Sequence, residues 1–95
     1  MNYTEYICRI IENFKKMLLE KNRRYGNSGI QPINIFCAEG EHKGLESRID
    51  DKLMRIKTST NSGEPIRFND VADLMGYLVL LCVRNKWDKF EELID

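Results

Sequence analysis

From Tyr3 to Leu18 the apolar residues fall at Tyr3, Tyr6, Ile7, Ile10, Ile11, Phe14, Met17 and Leu18, a spacing that only an amphipathic helix turns into one continuous face. A strand would scatter the same residues over both of its sides. On the other face Glu5 precedes Arg9 and Glu12 precedes Lys16 by four residues, the order that favours side-chain pairing. The helix is expected to stop at Arg24, because Tyr25-Gly26-Asn27-Ser28-Gly29 supplies residues that tolerate positive φ and bond their own backbone.

Two further segments share this period. The first runs from Gly44 to about Thr58, with Leu45, Ile49, Leu53 and Ile56 on one side and Asp51 with Arg55 on the other. The second opens at Asn69 or Asp70, either of them a good N-cap, and continues to Arg84. It is apolar almost all round between Val71 and Val83, which predicts the central helix of the fold, and Gly76 inside it predicts close approach of a neighbouring backbone. A last short helix is expected over 87–94, laying Trp87, Phe90 and Ile94 across one end of the core. Residues 25–44 hold Ile30, Ile33, Ile35 and Phe36 among glycines and Pro32, which reads as a long ordered loop packed on the core. Thr58 to Pro65 contains no apolar residue and reads as an exposed, mobile connection. The expected architecture is all-α: a small bundle of three main helices at 3–24, 44–58 and 69–84, plus the short C-terminal one.

Ninety-five residues make one domain, 1–95, with room for one core. A chain of this size buries only about 60–65% of its unfolded surface, so the three helices leave apolar surface uncovered and a homo-oligomer is expected. Fifteen basic and fifteen acidic residues cancel, which removes the positive field that attracts polymeric nucleic acid. The longest apolar run, Leu78 to Val83, is far short of the ~20 residues of a membrane span, and the N-terminus has no basic segment followed by an apolar one. No membrane association and a cytoplasmic location are expected. Cys8, Cys37 and Cys82 are odd in number and widely spaced, and they read as reduced thiols; His42 is the only histidine, and no zinc spacing is present.

Chemistry concentrates in the acids. Glu46 and Asp50 stand one turn apart on the second helix, and Asp70 and Asp73 stand three apart at the opening of the third. If these helices pack antiparallel, four carboxylates face one another, a common way to hold a hard divalent cation such as magnesium. The bland alternative is that Asp70 caps its helix and that Lys57 neutralises Asp50. Asp73 resists that explanation, because a carboxylate on an otherwise apolar surface needs a cation or donors. The run Lys21-Asn22-Arg23-Arg24-Tyr25-Gly26-Asn27-Ser28 combines cations, amides and a turn, so it suits phosphate as well as it suits an ordinary basic helix end. Arg48 and Lys52 are either phosphate ligands or partners of nearby acids. Tyr77 and Trp87 are either core aromatics or platforms for a base.

Three stretches together carry a resemblance: Lys21-Asn22-x-x-Tyr25-Gly26-Asn27-Ser28, then Arg48-Ile49-Asp50-Asp51-Lys52-Leu53-x-Arg55-Ile56, then Asn69-Asp70-Val71-Ala72-Asp73-Leu74-x-Gly76-Tyr77. The order resembles short phage and prophage proteins of the nucleotide-modification-associated, MazG-like kind, which are all-α nucleoside triphosphate pyrophosphatases or their relatives. The family pattern E-E-x-x-E followed by E-x-x-D is similar to Glu46-Ser47-Arg48-Ile49-Asp50 followed by Asp70-Val71-Ala72-Asp73. The resemblance implies magnesium at Glu46, Asp50, Asp70 and Asp73. It also implies a nucleotide or cyclic nucleotide held by residues drawn from Lys21, Arg24, Tyr25, Asn27, Ser28, Arg48, Lys52 and Tyr77. Ser47 replaces the second acid of the first element, and Asp50 and Asp70 are shorter than the usual glutamates, which weakens the metal set. Three functions stay open: a Mg-dependent nucleoside triphosphate pyrophosphohydrolase, a non-catalytic binder that sequesters a nucleotide second messenger of host antiphage defence, and a structural or regulatory subunit with no ligand.

Overall fold

The computed structural model describes residues 1–24 and 41–94. Over these residues the fold is all-α: α1 (Tyr3–Arg24), α2 (Glu41–Asn61), α3 (Phe68–Asn85) and a single 3-10 turn (Glu91–Leu93). The ordered loop expected over 25–44 lies outside the described residues up to position 40; its last four residues belong to α2.

Local chemistry closes the helix ends that the described residues frame. At the start of α1 the Asn2 side-chain oxygen accepts the Glu5 N–H at 2.8 Å, which satisfies one donor of the first turn. At its end Glu20 gathers Arg23 at 2.6 Å and Arg24 at 3.1 Å. These pairs replace the expected Glu5–Arg9 and Glu12–Lys16 pairs, which do not form among the described residues. In α2 the expected Asp51–Arg55 pair does form, at 3.1 Å.

The first half of the expected mobile connection, Thr58 to Asn61, is helix. Thr60 donates its hydroxyl to the Ile56 carbonyl at 3.0 Å, and Ser62 donates to that of Thr58 at 2.9 Å, so polar side chains follow the helix backbone instead of leaving it. The stop comes at Gly63, whose φ of 76° is left-handed, with Glu64 N–H returning to the Ser59 carbonyl at 2.9 Å. Pro65 then prevents continuation. The far end of α3 repeats this arrangement with Lys86 in the left-handed position, φ 58°, and Trp87 N–H bonded to the Cys82 carbonyl at 2.9 Å.

α2 and α3 form a hairpin and are the one pair of helices that packs extensively among the described residues. Cross-helix pairs 52 with 73, 48 with 77 and 46 with 84 step in opposite directions along the chain, so the two helices run antiparallel. Leu45 is fully buried, Ile49 and Ile56 are half-buried, and Leu53 faces solvent.

Three expectations are corrected here. α3 is not surrounded: most of its residues are half-buried and Leu78, Val79 and Val83 are exposed, since one neighbouring helix can cover only one side of it. Gly76 is not a close-approach site, because a methyl built there meets no atom within 4 Å among the described residues. The helix expected over 87–94 is reduced to the 3-10 turn, with Trp87, Phe90 and Ile94 exposed; the left-handed cap at Lys86 interrupts the helical path before it. Among the described residues no helix is long and apolar enough to cross a membrane.

Candidate functional site in the helical hairpin

The seam between α2 and α3 is polar along one edge, and among the described residues Lys52, Arg48 and Arg84 each reach across it. Nearest the turn, Lys52 places its ammonium 3.0 Å from Asp73 Oδ2 and 3.4 Å from Asp70 Oδ1. Asp70 is the one buried charged residue among those described, and the Lys52 side chain is 12% exposed, so this link is largely withdrawn from water. One turn further, the Arg48 guanidinium lies over the Tyr77 ring at 6.0 Å from its centroid, near the outer limit for attraction between a cation and a ring face. Beyond that, Arg84 reaches Glu46 at 3.6 Å.

Helical spacing explains the alignment. Lys52 follows Arg48 by four residues, and Tyr77 follows Asp73 by four and precedes Arg84 by seven, so Arg48 with Lys52, and Asp73 with Tyr77 and Arg84, each keep to one side of their helix, whereas Glu46 lies off that side and is reached by the long Arg84 side chain. The hydrogen bond to Asp73 raises the Lys52 ammonium above its ordinary pKa, burial opposes this, and Asp70 adds to the rise.

The expected N-cap role of Asp70 is overturned. Arg67 occupies the N-cap position with extended backbone and no side-chain cap, while Asp70 lies in the first turn and directs its carboxylate to Lys52. A negative charge there still suits the positive end of the helix.

Of the four acids read as metal ligands, the structure brings Asp70 and Asp73 together around Lys52. It does not bring Glu46 and Asp50 to them: Glu46 is drawn to Arg84 and Asp50 is exposed. Among the described residues no three His, Cys, Asp or Glu side chains converge on one point. Magnesium requires a near-octahedral shell of oxygens. With an ammonium already seated between the two converging carboxylates, this arrangement does not fit magnesium.

Of the expected ligand-binding residues, Arg48, Lys52 and Tyr77 share the seam, whereas Lys21 and Arg24 are exposed at the end of α1, with Arg24 held by Glu20. Tyr25, Asn27 and Ser28 lie outside the described residues. Sequence reasoning missed Arg84 as part of this edge. The signal was available, since Arg84 stands eleven residues, three turns, after Asp73. Comparison with known protein families, with curated proteins and with solved structures finds no match to this chain.

Proposed function

We propose that this protein binds a nucleotide or cyclic nucleotide and holds it without hydrolysing it, acting by sequestration. One observation carries the choice between holding and hydrolysing: Lys52 occupies the space between Asp70 and Asp73 where a pyrophosphatase would seat its metal. An ammonium there neutralises the carboxylates and cannot activate water as a metal does. The nucleotide itself is suggested by the MazG-like resemblance and by the company of Arg48 and Tyr77 on the edge beside the Lys52 link. Cations meet phosphate, and an aromatic face meets a base.

The test is a panel of nucleoside mono- and triphosphates and cyclic dinucleotides, measured by calorimetry and thermal melts in magnesium and in EDTA, with phosphate and pyrophosphate release followed in parallel. The expected result is binding of the same affinity with and without magnesium and no release. A ligand at ~100 times its dissociation constant stabilises by roughly 2.7 kcal/mol, easily seen in a melt. Magnesium-dependent release that disappears in Asp73→Asn would overturn the non-catalytic reading, and a melt unmoved by every nucleotide would overturn binding altogether.

A further inference from the structure

The first half of the apolar face of α1 stands open among the described residues. Tyr3, Tyr6, Ile7, Ile10 and Ile11 are 53% to 87% exposed, while Phe14, Met17 and Leu18, further along the same face, are half-buried. Within this face Tyr3, Ile7, Ile10, Phe14 and Met17 alternate spacings of four and three, the repeat by which two helices lie side by side along their length. We propose that the occupant is the same face of a second copy, running antiparallel.

Charge sets the direction. Residues 13–24 carry Lys15, Lys16, Lys21, Arg23 and Arg24 against Glu20, five bases to one acid, a net +4; residues 1–12 carry Glu5 and Glu12 against Arg9, a net −1. A parallel pair would set two +4 segments side by side. An antiparallel pair centred on the most exposed residues, with its axis between Cys8 and Arg9, sends them to opposite ends and seats Ile7 against Ile10 of the other copy twice over. Antiparallel helix dipoles favour the same choice.

Area agrees. The five most exposed side chains amount to roughly 500 Å² of apolar surface per copy, on a scale of ~150–250 Å² for a fully exposed aromatic. Pairing two such faces removes on the order of 1,000 Å², about the threshold for a specific interface. The interface involves none of the hairpin residues assigned to nucleotide binding, so it stands or falls independently of that reading.

The experiment is native mass spectrometry and size-exclusion with light scattering on the full chain at micromolar concentration. The wild type is expected at an even multiple of the 11.2 kDa protomer. Ile10→Asp, which would bury two charges per pair, is expected to raise the dissociation constant roughly 100-fold or more. A monomeric wild type overturns the proposal and assigns the face to the chain's own hairpin or to another protein. An Ile10→Asp variant that keeps the wild-type assembly overturns it equally. Should Ile10→Asp fail to fold, Tyr3→Ser at the exposed end of the helix is read in the same way. Direction is measured by spin labels at Arg24→Cys in a chain whose native cysteines are serine: about 45 Å between labels is expected for the antiparallel pair, and about 10 Å, the parallel value, refutes it.

Discussion

Replacing Lys52 with methionine tests whether the buried cation organises the hairpin. Methionine keeps the length of the side chain and removes the charge, leaving Asp70, 3% exposed at its side chain, without its counter-ion. Stranding one partner of a buried pair costs about 3–5 kcal/mol. Asp73, at 35% side-chain exposure, is solvated once freed and adds little, so the expected loss lies near the lower end, about 3 kcal/mol. For a domain of this size each kcal/mol moves Tm by about 4–8 °C, so the melt should fall by about 12–24 °C. Urea unfolding followed by circular dichroism gives the free energy directly. The double variant Lys52→Met with Asp70→Leu removes both charges and should recover most of the loss, because apolar replacement of an entire buried pair is often neutral. The reasoning is refuted if Lys52→Met stays within about 0.5 kcal/mol of wild type, the range of an ordinary surface change, or if the double variant is no more stable than the single one.

Alkali should act on the same link. Because the Lys52 ammonium is raised in the folded state, its stabilisation is complete below the unfolded value of 10.5 and is lost as pH climbs through the folded value; melts of the wild type should fall over that range more steeply than those of Lys52→Met. Gly76→Ala should stabilise by roughly 1 kcal/mol, since the added methyl meets open space and the helix gains propensity; a loss in a urea titration would show that something packs against this position. Lys86→Gly should also stabilise by about 1 kcal/mol, because Lys86 adopts a left-handed conformation that glycine reaches without cost, and an unchanged or lower midpoint would contradict the cap geometry.

Helix positions were legible because periodicity reports which residues share a face, and α1 is helical from Tyr3 to the last residue described before position 25. The end of α2 was not legible. Thr58 to Ser62 reads as loop by residue type, yet hydroxyls that bond back four residues keep the helix going, and only Gly63 with Pro65 marked the real stop. α3 misled for a different reason. Its apolar sequence measures how much surface it would bury if fully surrounded, whereas burial depends on neighbours, and among the described residues a single helix packs extensively on it. At the site, Lys52 was among the candidate partners of Asp73, but the acid that lies buried against it is Asp70, which residue type read as a cap, while Asp73 keeps a third of its side chain exposed. Which acid pairs with which base depends on the crossing of α2 and α3, and that geometry is not written in either helix alone.

The turn from Ser62 to Arg67 that joins α2 to α3 has a kinetic consequence. Short closures carry little entropic penalty and occur in about 10–100 ns for ten residues, so Lys52 can find Asp70 and Asp73 early, in the microsecond-to-millisecond regime of local helical folds. The face of α1, if it meets a second copy, must wait for a collision. Refolding should then separate into a fast phase blind to protein concentration and a slower one proportional to it, and dilution should stretch the second while leaving the first untouched.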